Sequence, residues 1–248
     1  MKRQIAIISD CASPLKTGDD QCIYVAYLAE NLAAFGYEID VFTRRDSVHQ
    51  PEIVYPAENL RVIHIPAGPA SAVEKQDLLR LMPQFTSFVL GHFKQKDYDL
   101  IHANFFLSGL TALNLHRATE TPFVVSFHGL ERTAKTDDFP IVRQEIEDRI
   151  VREADAILAA SAREEKDLKF LYDAPPEKVF VVPTPKDDEA WRQATEKISL
   201  IYENILTDKI LLSATIRAAL QNFRQQAPKI AFSLDQLPDK QNSQNLIS

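Results

Sequence analysis

Glycine is scarce in this chain, with 6 of 248 residues and none beyond Gly129. Phosphate-facing loops need backbone that can approach an anion closely, which glycine allows and larger side chains obstruct. The carboxy-terminal half lacks the usual material for such loops. No Gly-x-Gly-x-x-Gly follows Ser9, which argues against a dinucleotide-dependent oxidoreductase. Cysteine is equally sparse: Cys11 and Cys22 have neither the spacing nor the histidine neighbours of a metal site, and they read as reduced thiols. His49, His64, His92 and His116 form no metal constellation. Met1-Lys2-Arg3 precedes only the short apolar run from Ile5 to Ile8, too little for a secretory leader or a membrane span, so a cytoplasmic protein without a membrane span is expected. Basic charge is also short. Lys and Arg number 28 against 35 Asp and Glu, a formal charge of −7, so nucleic acid is not expected as a partner.

What the chain has is apolar residues, 45% of the total and ample for a core, in a regular alternation of strand and helix patterns. Residues 4–9 are a nearly continuous β-rich apolar run, as a parallel strand covered on both faces requires. Tyr24, Leu28, Leu32 and Phe35 recur at three- and four-residue steps ahead of Gly36, predicting a helix with a carboxy-terminal stop. Further strands are predicted over 38–43, 60–66, 99–103, 123–127, 156–159 and 179–182. Helices are predicted over 77–93, bent or restarted at Pro83, over 108–117 and 140–153, and from a Ser161 cap with Glu164 in capping-box spacing to about Tyr172. This alternation implies an α/β fold: a single doubly wound parallel sheet with helices on both faces and right-handed crossovers.

The alternation stops at Pro183-Thr184-Pro185. Beyond it, Asp187 and Asp188 suit the positive end of a helix, and Ala190, Trp191, Ala194, Ile198, Ile201 and Ile205 form an apolar stripe for docking. Trp191 is read as packed, with a stacking role as the alternative. An apolar-rich stretch from Ile210 to Phe223 predicts another helix, ended by Pro228, and the last residues are rich in Gln, Asn and Ser. The organisation read from the chain is a domain over 1–185, a docking helix over 186–207, an extra helix over 208–228 and a disordered tail over 229–248.

In such a sheet, ligands bind beyond the carboxyl ends of the strands, near the point where strand order reverses. The loops there carry Ile7-Ile8-Ser9-Asp10-Cys11-Ala12-Ser13-Pro14-Leu15, Val41-Phe42-Thr43-Arg44-Arg45, Ile65-Pro66-Ala67-Gly68-Pro69, Leu100-Ile101-His102-Ala103-Asn104-Phe105-Phe106 and Ser126-Phe127-His128-Gly129-Leu130. Together these resemble the amino-terminal, Rossmann-like half of the GT-B glycosyltransferases of family 4, particularly the sucrose-phosphate-synthase and sucrose-synthase-like branch. The resemblance covers Met1 to about Pro183. Asp188-Glu189-Ala190-Trp191 through Tyr202-Glu203-Asn204-Ile205-Leu206 also resembles that family's closing helix, which crosses back onto the amino-terminal domain. The resemblance implies transfer from a nucleotide sugar to a sugar or sugar-phosphate acceptor with retention, the nucleotide sugar being a substrate and no cofactor being needed. In that family the acceptor sits in this domain and the donor in a second one. The donor domain is largely missing here, for neither the family's Lys/Arg pair nor its Glu motif is found after Pro185, and donor-binding residues are unassigned. Two expectations follow: a glycosyltransferase domain that relies on a partner protein for its donor half, or a non-catalytic sugar-phosphate-binding or interaction module of the same descent.

By the resemblance, His128 is the catalytic candidate, facing the transferred sugar and acting by hydrogen bonding rather than proton abstraction. Gly18, Gln21, Lys75, Asn104, Arg132, Lys135 and Arg143 are the acceptor-binding candidates, the Arg residues suiting phosphate through their planar forks. The bland readings stand beside these. Thr17-Gly18-Asp19-Asp20-Gln21-Cys22 is a glycine-poor turn whose two carboxylates repel a phosphate and suit a helix start. The segment over 131–138 mixes charges of both signs, as a solvated loop does. His102 reads as a packed scaffold residue, and Arg44 and Arg45 as surface charge with a positioning role.

Overall fold

The computed structural model describes residues 2–17, 19–134 and 140–234. Eight strands form one sheet: β1 (Gln4–Ile8), β2 (Glu38–Arg44), β3 (Ile53–Ala57), β4 (Leu60–Ile65), β5 (Leu100–Asn104), β6 (Phe123–Ser126), β7 (Ala156–Ala159) and β8 (Val179–Val181). Their spatial order is β3-β4-β2-β1-β5-β6-β7-β8, and every pairing is parallel except β3 with β4. The helices are α1 (Asp20–Ala34), α2 (Lys75–Phe93), α3 (Phe106–Thr119), α4 (Glu131–Ala134), α5 (Pro140–Glu153), α6 (Ala162–Leu171) and α7 (Asp188–Leu234). This is the doubly wound α/β architecture expected from the alternation. The chain builds outward from β1 through β2 to β4, then crosses to β5 on the other side of β1, so the topological switch lies between β1 and β5.

Both faces of the sheet are covered, and the pleat divides β1 between them. Ala6 and Ile8 join one core with Phe42, Phe85, Ile101, Phe123 and Ile150, while Ile5 and Ile7 join another with Leu28, Leu32, Trp191, Ile198 and Tyr202. The second core is closed by α7, whose expected stripe is buried at Trp191, Ala194, Ile198 and Ile201. Burying each such large side chain contributes roughly 1.5–3 kcal/mol before ordering costs, which fastens a distant part of the sequence against β1. Asp187 caps this helix, accepting from the Ala190 N–H at 2.8 Å.

Four elements differ from expectation, the first being α4, a short helix with Glu131 buried where the segment over 131–138 read as a solvated loop. β3 is an edge strand with Pro56 in it and an interrupted ladder to β4, which is why no strand pattern reveals it. α2 runs through Pro83 without a restart, Pro83 lying on its exposed side. α7 continues to Leu234 instead of giving separate helices over 186–207 and 208–228, and it passes the stop expected at Pro228. One compact unit ends at Leu206 and a second comprises Thr207–Ser248, in which Ile210, Leu211, Leu212 and Ile216 are exposed. Of the tail expected to be disordered, residues 235–248 lie outside the described residues.

Candidate active site

Three strand ends meet at the switch point. β1 leads into Asp10, which is wholly buried. Its N–H donates to Ser108 Oγ at 3.0 Å, and the Ser108 hydroxyl donates to its carboxylate at 2.5 Å. Burial pushes this carboxyl above the usual carboxylate range, and the Ser108 bond works against that rise. The pair ties the β1 loop to the first turn of α3. Arg44, expected at the surface, is only 5% exposed. Its guanidinium donates to the Pro69 and Ser71 carbonyls at 2.9 and 2.8 Å, holding the loop after β4 against the end of β2.

β5 ends in Asn104, which is fully buried, yet neither Nδ2 nor Oδ1 finds a hydrogen-bond partner among the described residues. An unpaired buried polar group costs about 1–3 kcal/mol, so folded chains seldom keep one without a reason. The backbone is strained at the same place. Four non-glycine residues have positive φ among the described residues: Phe105 (71°), Glu120 (58°), His128 (55°) and Asp173 (51°). Glu120 is the left-handed cap of α3, and Asp173 lies just past α6, where such a conformation is ordinary. Phe105 and His128 instead follow β5 and β6, and their rings are in contact with centroids 5.1 Å apart. Strain of this kind persists only where surrounding structure over-determines it, and it gathers at functional sites.

His128 is half-buried, with Tyr24 edge-on at 4.3 Å, and its Nε2 has no hydrogen-bond partner among the described residues. Burial pulls its pKa down to about 4, so the ring is neutral at physiological pH and is a poor store for an abstracted proton. A hydrogen-bonding role suits such a ring better. His102 is the scaffold residue expected: fully buried and driven to about 3 by burial and by His128, it sets Nδ1 2.6 Å from the Tyr202 hydroxyl and Nε2 3.0 Å from Ser126 Oγ.

The turn after His128 is clamped from both sides. Gly129, at φ 130°, donates its N–H to Glu164 at 3.3 Å and accepts from Arg143 at 2.9 Å. Arg143 also bonds Glu131 at 3.1 Å and Glu147 at 2.8 Å and covers the Phe106 ring at 4.7 Å. Arg132 pairs with Asp148 at 2.7 Å, lies 4.7 Å over the Tyr172 ring and reaches the Leu171 carbonyl. Both guanidiniums expected on an acceptor are thus occupied by carboxylates within the domain. Gln21 is exposed in the first turn of α1, its N–H taken at 2.8 Å by Asp19, which caps that helix. Lys75 opens α2, but its side chain, like Gly18 and Lys135, lies outside the described residues.

The structure therefore brings Asn104 and His128 to neighbouring strand ends and assigns Arg132 and Arg143 partners of their own. Residue reading passed over Asp10, Tyr24, Phe105 and Glu164. Asp10 had a legible signal, a carboxylate directly after an apolar strand. Phe105 had none, because positive φ at a phenylalanine leaves no mark in sequence. A cavity of about 270 Å³ opens beside Gly129, bounded by Thr133, Ser161, Arg163, Glu164 and Asp167, and its charges are mixed. Among the described residues no group of three or more His, Cys, Asp or Glu is placed to hold a metal ion, and no helix is long and apolar enough to cross a membrane.

A doubly wound parallel sheet, a buried unpaired carboxamide and a strained imidazole at its switch point, and a returning helix against β1 define the Rossmann-like half of a GT-B transferase. The chain belongs to the family described as the glycosyl transferase 4-like domain, whose model matches residues 23–185. It is 33% identical over 209 residues to a D-inositol 3-phosphate glycosyltransferase of Corynebacterium aurimucosum, covering 79% of this chain and 50% of that protein. A protein of the same name from Kineococcus radiotolerans is 34% identical over 199 residues, covering 75% of this chain and 46% of that one. The chain thus spans about half the length of the curated relatives it matches. Among solved structures, a sucrose-phosphate synthase from Thermosynechococcus elongatus superposes with a TM-score of 0.67 at 26% identity, over 73% of this chain and 48% of that one. A shorter form of the same protein, named with the ranges 27–220 and 406–426, gives 0.68 at 24% identity and is covered to 99%, against 82% of this chain.

Proposed function

We propose that this chain is the acceptor-binding domain of a retaining, nucleotide-sugar-dependent glycosyltransferase, seating a phosphorylated sugar or polyol at the ends of β1, β5 and β6. The observation that carries the reading is the buried Asn104 carboxamide, unpaired at both donor and acceptor among the described residues, at the strand end adjoining that of His128. A vicinal pair of hydroxyls offers a donor and an acceptor together, which is what such an amide lacks. His128, neutral and with Nε2 unpaired among the described residues, supplies a further contact to a hydroxyl of the transferred sugar or the acceptor. Since Arg132 and Arg143 already hold carboxylates, this reading leaves Lys75 and Lys135 as the basic candidates for the phosphate.

The relatives' printed name, D-inositol 3-phosphate glycosyltransferase, supports a phosphorylated polyol. The nucleotide sugar, needed as donor substrate without another cofactor, is held in this reading by a partner protein or domain. In this reading the protein works in the cytoplasm, where Cys11 and Cys22 stay reduced. The second reading, a non-catalytic interaction module of the same descent, draws on Arg132 and Arg143, whose guanidiniums are already taken by carboxylates of the domain.

Calorimetry with D-inositol 3-phosphate, hexose phosphates and inorganic phosphate tests the proposal. Binding of a phosphorylated polyol that weakens at least about ten-fold in Asn104→Ala and His128→Ala, the loss of one or two good hydrogen bonds, is the expected result. No binding by the wild-type chain sinks it. Release of nucleoside diphosphate from a UDP- or ADP-sugar by this chain alone, abolished in His128→Ala, eliminates the non-catalytic reading.

A further inference from the structure

His128 is reached from α7 by two routes. The first is aromatic: the Trp191 ring lies 5.4 Å from that of Tyr24, and Tyr24 packs edge-on against His128 at 4.3 Å. The second is a hydrogen-bond chain. The Tyr202 hydroxyl meets His102 Nδ1 at 2.6 Å, and His102 Nε2 meets Ser126 Oγ at 3.0 Å, at the end of the strand that leads two residues later into His128. A neutral imidazole has one donor and one acceptor nitrogen, so this chain has a direction. The way the Tyr202 hydroxyl turns selects the His102 tautomer, and the tautomer selects how Ser126 is oriented. The first route ends on the His128 ring through Tyr24, and the second ends at Ser126, two residues before His128.

We propose that Tyr24 is a positioning residue for His128, and that the docking of α7, through Trp191 and Tyr202, sets how that imidazole is seated. The physical need is the backbone: His128 holds φ at 55°, a conformation that relaxes unless its neighbours prevent it. Gly129 is restrained on one side by Glu164 and Arg143, but the ring itself is held by Tyr24 and Phe105. The returning helix therefore does more than cover apolar surface. The inference rests on the proposed function for its consequence in binding, but the geometric claim can be read without a ligand.

The test uses the full chain labelled with 15N. Tyr202→Phe removes one hydroxyl that has no place in ligand contact. The expected result is a change in the His128 ring-nitrogen resonances, together with an affinity for D-inositol 3-phosphate about five-fold weaker, the worth of one neutral hydrogen bond. A purely structural role for Tyr202 would lower the melting temperature and leave the His128 signals in place, and that outcome overturns the proposal. Should Tyr202→Phe not fold, Tyr24→Leu removes the ring that packs on His128 and Trp191→Phe loosens the aromatic route, with the same readouts. If the wild-type chain binds no sugar phosphate, the proposed function fails while the resonance measurement still decides the role of α7.

Discussion

Replacing Asn104 by alanine should separate stability from binding. The native carboxamide is fully buried with both polar atoms unpaired among the described residues. Each unpaired group costs about 1–3 kcal/mol, so removing two relieves several kcal/mol at most. Against this stands the small cavity left by the amide, on the order of 1 kcal/mol, and the loss of its packing contacts. The balance predicts a variant as stable as the parent or more stable by about 1–2 kcal/mol, which for a domain of this size raises the melting temperature by roughly 2–6 °C. Equilibrium urea unfolding at pH 7, with the slope checked for constancy, measures the difference. The same variant should lose affinity for a phosphorylated polyol. A drop in stability of more than about 1 kcal/mol would refute the reasoning, because it means that water or repacked neighbours satisfy the amide in the free protein and that it is part of the scaffold.

His128, held near pKa 4, should make the fold acid-sensitive. The folded value lies below the unfolded value of about 6.5, so the neutral ring's contribution is complete above that pH and is lost as pH falls toward 4. Between pH 7 and 5 this amounts to about 2 kcal/mol, and His128→Gln should lose that much less over the same interval; equal pH slopes in urea unfolding would count against it. Arg143→Ala leaves the wholly buried carboxylates of Glu131 and Glu147 without their guanidinium and frees the Gly129 carbonyl, and should destabilise by about 3 kcal/mol. Arg143→Met at pH 7 should do nearly as badly, and a loss below about 1 kcal/mol in both would show that the cluster is not under electrostatic demand.

Much of the architecture was legible because it is written in local periodicity. The β1, β7 and β8 runs, the helix over 140–153, the Ser161 cap and the docking stripe on α7 each follow from neighbours a few residues apart. Where the structure departed from expectation, a non-local cause intervened. β3 is held as a strand by β4 rather than by its own pattern, and α2 tolerates Pro83 because its proline faces outward. The places of His128 and Asn104 just after strands were legible, and the structure sets them at neighbouring strand ends. Arg132 and Arg143 looked like free phosphate ligands because their carboxylate partners, Asp148, Glu131 and Glu147, cannot be paired from sequence order alone.

The sequence by itself determined the class of fold and the family, since apolar alternation and motif spacing are local properties that survive without coordinates. Only the tertiary structure decided which polar groups remain unspent. That is a question of partners across the sheet: Ser108 for Asp10, Tyr202 for His102, glutamates for Arg143, and none among the described residues for the Asn104 amide. Burial turns an unmade hydrogen bond from a negligible matter in water into a cost of kcal/mol, so it is the fold that decides which polar groups stay unpaired.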